Sequence, residues 1–298
     1  MAQFKPIRNK NRKAPVKPRI LKGKAIPMNA AIQIRYVSDV NKLMELVIKK
    51  TEQAIKQIYK SPTSKEYFTM DASMTSQAKA RMNKLFREIS KLVSGKADTM
   101  VERMLITTNK ASKNSLNQSL KELSKGLLIQ PDFKNTAGMT EVLKSSFNSN
   151  IDLIKTMSGD YLTSVRGAVY RSITEGGGLE TLIPNIQKFL DDKNAQVLNK
   201  AKNVALDQTR KAYTAITKTR MTEVGVEKFE WVHSGGGREP REYHKSRAKY
   251  PAGLNGQIFS INDPPIIDKK TGERGLPSQA INCKCFMRPI IEFGEVAA

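Results

Sequence analysis

The sequence predicts an α+β protein, an extended and mainly helical N-terminal region followed by a small C-terminal α+β domain. Three observations carry this prediction. Apolar residues recur at three- and four-residue steps through most of residues 38–225, the period of a helix with one buried face. From Val226 onward Gly and Pro multiply and short β-like runs replace that period. Both histidines, both cysteines and the only tryptophan of the 298-residue chain fall after residue 230. Three segments follow from this: an arm over 1–37, a long-helix region over 38–225 and a small α+β domain over 226–298.

The arm carries Lys5, Arg8, Lys10, Arg12, Lys13, Lys17, Arg19, Lys22 and Lys24, interleaved with Pro6, Pro15, Pro18 and Pro27. Few large apolar side chains accompany them, so residues 1–27 are expected to be extended or disordered alone. From Ser38 or Asp39, either of which can cap a helix, Leu43, Met44, Val47, Ile48, Ile55 and Ile58 mark the first helix, with a stop near Ser61-Pro62. A second helical region spans about Thr75 to Leu128, with a break at Gly95 and an end at Pro131-Asp132. The third begins near Thr140-Glu141 and ends at Gly176-Gly177-Gly178. That triplet lacks the Lys-Ser/Thr of a phosphate-binding loop and reads as a hinge. A fourth runs from Leu179 towards Gly225. Short strands are expected at Lys228–Val232, Gln257–Ser260 and Cys283–Ile291.

Charge narrows the partners. Lys and Arg number 51 against 28 acids, a formal net charge of +23, with mean hydropathy −0.47. Residues 1–38 hold ten basic and no acidic side chains. Such a surface attracts a polyanion. Only 6% of the residues are aromatic and none interleaves with basic residues, which argues against a base-stacking platform. Nucleic acid, an acidic protein surface and an anionic membrane all fit the charge, and the arm is read as lying along phosphates or inserting into a partner. No apolar run has the length of a signal peptide or membrane span, so a soluble protein of the reducing cytosol with no membrane partner is expected. Two cysteines one residue apart make no disulfide framework.

His233, His244, Cys283 and Cys285 together form a Cys2His2 inventory able to hold a structural zinc, the cofactor considered for this chain. On a strand, Cys283 and Cys285 would face one side and Lys284 the other. On a helix, Arg241 and His244 would share a face. The alternatives are a buried, hydrogen-bonded core cluster without metal, or a metal-dependent nuclease or hydrolase using His244, Cys283 and Cys285. No His-Glu-x-x-His or second carboxylate cluster accompanies them, so no catalytic residue is assigned.

Trp231, Arg241-Glu242-Tyr243-His244, Gly256-Gln257-Ile258-Phe259, Pro277 and Asn282-Cys283-Lys284-Cys285 occur in the order of a known pattern. The combination resembles the phage Mu F-like minor head protein domain, a family that includes the minor head protein of phage SPP1. Ala205 to Arg210 is similar to the segment that precedes that domain. The motif positions are Trp231, Arg241, Gly256, Phe259 and Asn282. The resemblance implies a non-enzymatic minor capsid protein of a tailed phage, held in the head near the portal and present in the host cytoplasm during assembly. It implies portal, major capsid or scaffold proteins and double-stranded DNA, contacted without sequence dependence by the basic arm, as partners, and a role in head assembly, DNA packaging or ejection.

Overall fold

The structure is a computed structural model, and it describes residues 19–59, 72–123, 136–174, 179–236, 241–245 and 253–293. The expected stops at Ser61-Pro62 and Pro131-Asp132 and the Gly176–Gly178 hinge lie outside these residues. The elements are β1 (Arg19–Lys22), α1 (Ala30–Tyr59), α2 (Ala72–Leu123), α3 (Ala137–Thr174), α4 (Leu179–Glu223), β2 (Lys228–Val232), β3 (Ile258–Ser260) and β4 (Phe286–Phe293). The α+β prediction holds, with long helices and one four-stranded sheet. The chain divides into two compact units, one of residues 33–104 and 147–206 and the other of 1–32, 105–146 and 207–298.

In the helical unit the three- and four-residue stripes are the core. Leu43, Met44, Val47, Ile48, Ile55 and Ile58 of α1 are all buried, as are Met82, Leu85, Ile89 and Val93 of α2 and Ile151, Ile154, Met157 and Val165 of α3. Buried polar side chains then fix how the helices pair. Tyr36 Oη donates to Asn150 Oδ1 at 2.9 Å, and Tyr59 Oη meets Ser172 Oγ at 2.5 Å. Asn194 joins two helices, accepting from Tyr161 and donating to Glu52, each at 2.8 Å. Burial raises the Tyr36 and Tyr161 hydroxyls above their ordinary pKa, so both act as neutral donors.

The sheet unit is built on strand order β1-β4-β2-β3, antiparallel throughout. On one face Phe229 and Trp231 of β2 and Met287 and Ile291 of β4 share a core with Leu116 and Leu120 of α2 and Tyr213 and Met221 of α4. The opposite face is tied by Glu230, which takes Lys22 of β1 at 2.7 Å and Arg288 of β4 at 2.8 Å. The chain passes from α4 to β2 through Gly225. Its φ of +77° and the Val226 N–H to Met221 O bond of 2.8 Å end the helix as a glycine cap.

Several local expectations are corrected. The first helix begins at Ala30, not Ser38, because Asn29 Oδ1 accepts the Ala31 N–H at 2.9 Å and caps it there. Residues 19–26 of the arm join the sheet unit. Arg19–Lys22 pairs with β4, and Ile26 is buried and bridged to Met287, because the edge of β4 offers unpaired backbone groups. Gly95 does not break α2, where it lies on the exposed side. Cys283–Cys285 precedes β4 and is not part of it, although both thiols are buried and Lys284 is exposed as the alternation requires.

Candidate functional site

The last turn of β2 positions the first wall of the site. Trp231 N–H donates to Gln257 O at 2.9 Å, and Gly256 N–H donates back to Trp231 O at 2.8 Å. The return of the chain depends on Gly256, whose φ of +79° favours glycine. A 3-10 turn, Glu242–His244, then delivers a buried imidazole. His244 lies edge-on to Trp231 at 5.0 Å and to Tyr243 at 4.6 Å between ring centroids. His244 Nε2 is 3.2 Å from the Ile267 carbonyl. A carbonyl only accepts, so Nε2 carries the proton and Nδ1 presents its lone pair.

That lone pair faces two sulfurs, Cys283 Sγ at 3.7 Å and Cys285 Sγ at 3.9 Å. The cysteines are held by a strained turn in which Ser278 (φ 71°) and Asn282 (φ 59°) are left-handed. Ser278 Oγ donates to Cys285 O at 2.6 Å, Cys283 N–H to Ala280 O at 2.9 Å, and Asn282 N–H to Asp207 Oδ1 at 2.9 Å. The Cys285 thiol donates to Cys283, and this bond brings the Cys283 pKa down to about 4 against its burial; the N–H groups of Cys285 and Ser278 assist. The same bond, with burial, pushes Cys285 up. One hydrogen bond thus pulls the two thiols in opposite directions. Arg210 is nearby and buried; burial lowers its pKa, while Asp207 and Cys283 hold it up.

Of the four candidate ligands, the structure brings together His244, Cys283 and Cys285, whose donor atoms lie within 4.8 Å of one another. His233 is outside that set. Its Nδ1 accepts from Gly235 N–H at 3.0 Å, and its backbone N–H goes to Asn255 Oδ1 at 2.9 Å. Arg241 reaches the same segment as His244 by another route, donating to Ile281 O at 3.1 Å. The two do not share a helix face, because the 3-10 turn starts after Arg241. Phe259 of β3 packs on its cross-strand partner Phe229 of β2, with ring centroids 5.9 Å apart. Within the basic arm, Lys22 is engaged by Glu230, and the Lys24 carbonyl accepts from Ser119 Oγ at 2.7 Å. Arg19 stands in β1, while Lys5, Arg8, Lys10, Arg12, Lys13 and Lys17 lie outside the described residues.

Sequence reasoning assigned no role to Asp207, Arg210, Ser278 or the Ile267 carbonyl. Asp207 and Arg210 were visible as part of the Ala205–Arg210 segment, and their spacing to the Cys run was not. The Ile267 carbonyl is fixed by its surroundings, since a Cβ on Gly275 would stand 2.6 Å from Ile267 Cδ1 and 2.7 Å from Gln279 Oε1. Ile267 is fully buried and Gln279 Oε1 accepts the Leu276 N–H, so both side-chain ends would have to shift. Gly275→Ala is therefore expected to cost about 1–3 kcal/mol, measured by urea unfolding.

Among the described residues no helix is long and apolar enough to cross a membrane. Residues 163–288 match the family model described as Phage Mu protein F like protein. An uncharacterized protein of Haemophilus influenzae is 25% identical over 288 residues, 96% of this chain; the chain spans 58% of that relative's length. No solved structure matches the chain. The matched segment contains Asp207, Arg210, Trp231, His244, Cys283 and Cys285, so the site lies wholly inside it. Over residues 163–288, less than half of its length, the chain is similar to the phage Mu protein F-like family.

Proposed function

We propose that the chain is a minor head protein of a tailed phage, associated with the portal inside the head, and that it acts in head assembly and in DNA packaging or ejection. The observation that carries this reading is the family match over 163–288. Charge supports the DNA contact, since the net +23 and the acid-free first 38 residues suit a surface facing packed DNA. Major capsid or scaffold proteins are further partners in this reading.

The metal-dependent nuclease is the weaker alternative. Its three donors are only 2%, 5% and 3% exposed for His244, Cys283 and Cys285, which leaves a phosphodiester no approach, and the group contains no carboxylate.

Mass spectrometry of purified heads before and after DNA release is expected to find the protein at low copy and co-purifying with the portal. Absence from both heads and portal fractions overturns the proposal. DNA affinity is expected to fall steeply with salt, because counterion release dominates non-specific binding. Deleting residues 2–18 removes six basic side chains and spares β1. That deletion is expected to reduce the slope of log affinity against log salt by up to about 5. An unchanged slope would assign the DNA contact to another surface.

A further inference from the structure

The geometry points to a structural zinc ion held by His244 Nδ1, Cys283 Sγ and Cys285 Sγ. In a tetrahedral site with Zn–S of about 2.3 Å and Zn–N of about 2.0–2.1 Å, the sulfur-to-nitrogen edges are about 3.5 Å. The 3.7 and 3.9 Å separations here need to close by only a few tenths of an ångström. No carboxylate joins the group, so its chemistry is that of zinc, not of calcium or magnesium.

Three further features support a built site. The Ile267 carbonyl takes the His244 Nε2 proton, the outer partner that fixes tautomer and ring in metal-bound histidines. The fully buried Trp231 packs edge-on against the His244 ring at 5.0 Å. The charges also close: Zn2+ with two thiolates and a neutral imidazole is neutral, and Asp207 balances Arg210.

His233 is not a ligand in this arrangement. Its Nδ1 lone pair is used by Gly235 N–H, which leaves the ring proton on Nε2 and no free lone pair. Three protein ligands remain, and a small exogenous ligand takes the fourth position.

The test uses the full chain, reduced and freed of metal, then titrated with Zn2+ or Co2+ alone. About one equivalent is expected to bind. Trp231, the only tryptophan, sits against His244 and reports the event: Co2+ is expected to quench its emission and to show sulfur-to-cobalt charge-transfer absorption. Zinc at 100 times its Kd is expected to raise the thermal midpoint by several degrees. Cys283→Ser and Cys285→Ser are expected to abolish uptake while far-UV circular dichroism shows the long helices intact; Lys284→Ala, an exposed neighbour, keeps it. His233→Ala is also expected to keep the ion, and loss there would overturn the three-ligand assignment. No uptake by the reduced wild-type chain, with unchanged emission and midpoint, overturns the site itself.

Discussion

Trp231→Ala is expected to destabilise the sheet unit by about 3–5 kcal/mol, the range for deleting a large buried aromatic side chain. Trp231 is fully buried in the middle of β2, a strand flanked by β4 and β3. Its core neighbours include Phe229, Met287, Leu116 and Leu120, carried on three different elements. A cavity there cannot be closed by moving one element alone. Since the indole N–H has no partner, the loss is one of packing, and no hydrogen bond is forfeited. Trp231→Phe keeps most of the volume and is expected to cost about half as much or less. Urea unfolding followed by far-UV circular dichroism gives both values, because the fluorophore is removed. A loss below about 1 kcal/mol for the alanine variant would mean that the core collapses around the gap.

The helices were legible because burial leaves a three- and four-residue trace in α1, α2 and α3, and because Gly225 marks a stop by its backbone geometry. The start of α1 was not. Ile34 is 70% exposed, so the first turns show no inward stripe, and the cap at Asn29 precedes the first periodic residue, Tyr36. Gly95 misled for the opposite reason. A glycine on the exposed face of a long helix costs only about 1 kcal/mol, too little to break a helix whose other face is packed.

Strand β1 could not be read locally, since Arg19–Lys22 is defined by pairing with Ile290–Phe293 at the far end of the chain. The same limit shaped the view of the site. The alternation of Cys283 and Cys285 was visible, as was a histidine able to join them. His244 was already the histidine grouped with the two cysteines, but the Ile267 carbonyl that orients it and the Gly235 N–H that engages His233 are backbone groups that composition and spacing do not reveal. The Lys-rich arm showed its charge and concealed that Lys22 is committed to Glu230.

Asp207→Ala is expected to cost about 2–3 kcal/mol, because it removes both a hydrogen-bond acceptor and a charge. Asp207 Oδ1 accepts the N–H of Asn282, the left-handed residue immediately before Cys283, and Oδ2 pairs with Lys211 at 2.8 Å. Its charge also sustains the buried Arg210 guanidinium, which burial opposes. Asp207→Asn separates the two contributions. The amide keeps an oxygen for Asn282 N–H and gives up the charge, so about 1 kcal/mol is expected if the hydrogen bond dominates. Equal losses in both variants would assign the effect to Arg210 instead. Thermal and urea unfolding decide between these outcomes. The alanine variant should also bind zinc more weakly than wild type, since the turn that presents Cys283 has lost its anchor on α4. Normal affinity in a destabilised Asp207→Ala protein would show that the Ser278 to Cys285 bond alone keeps the thiols in place.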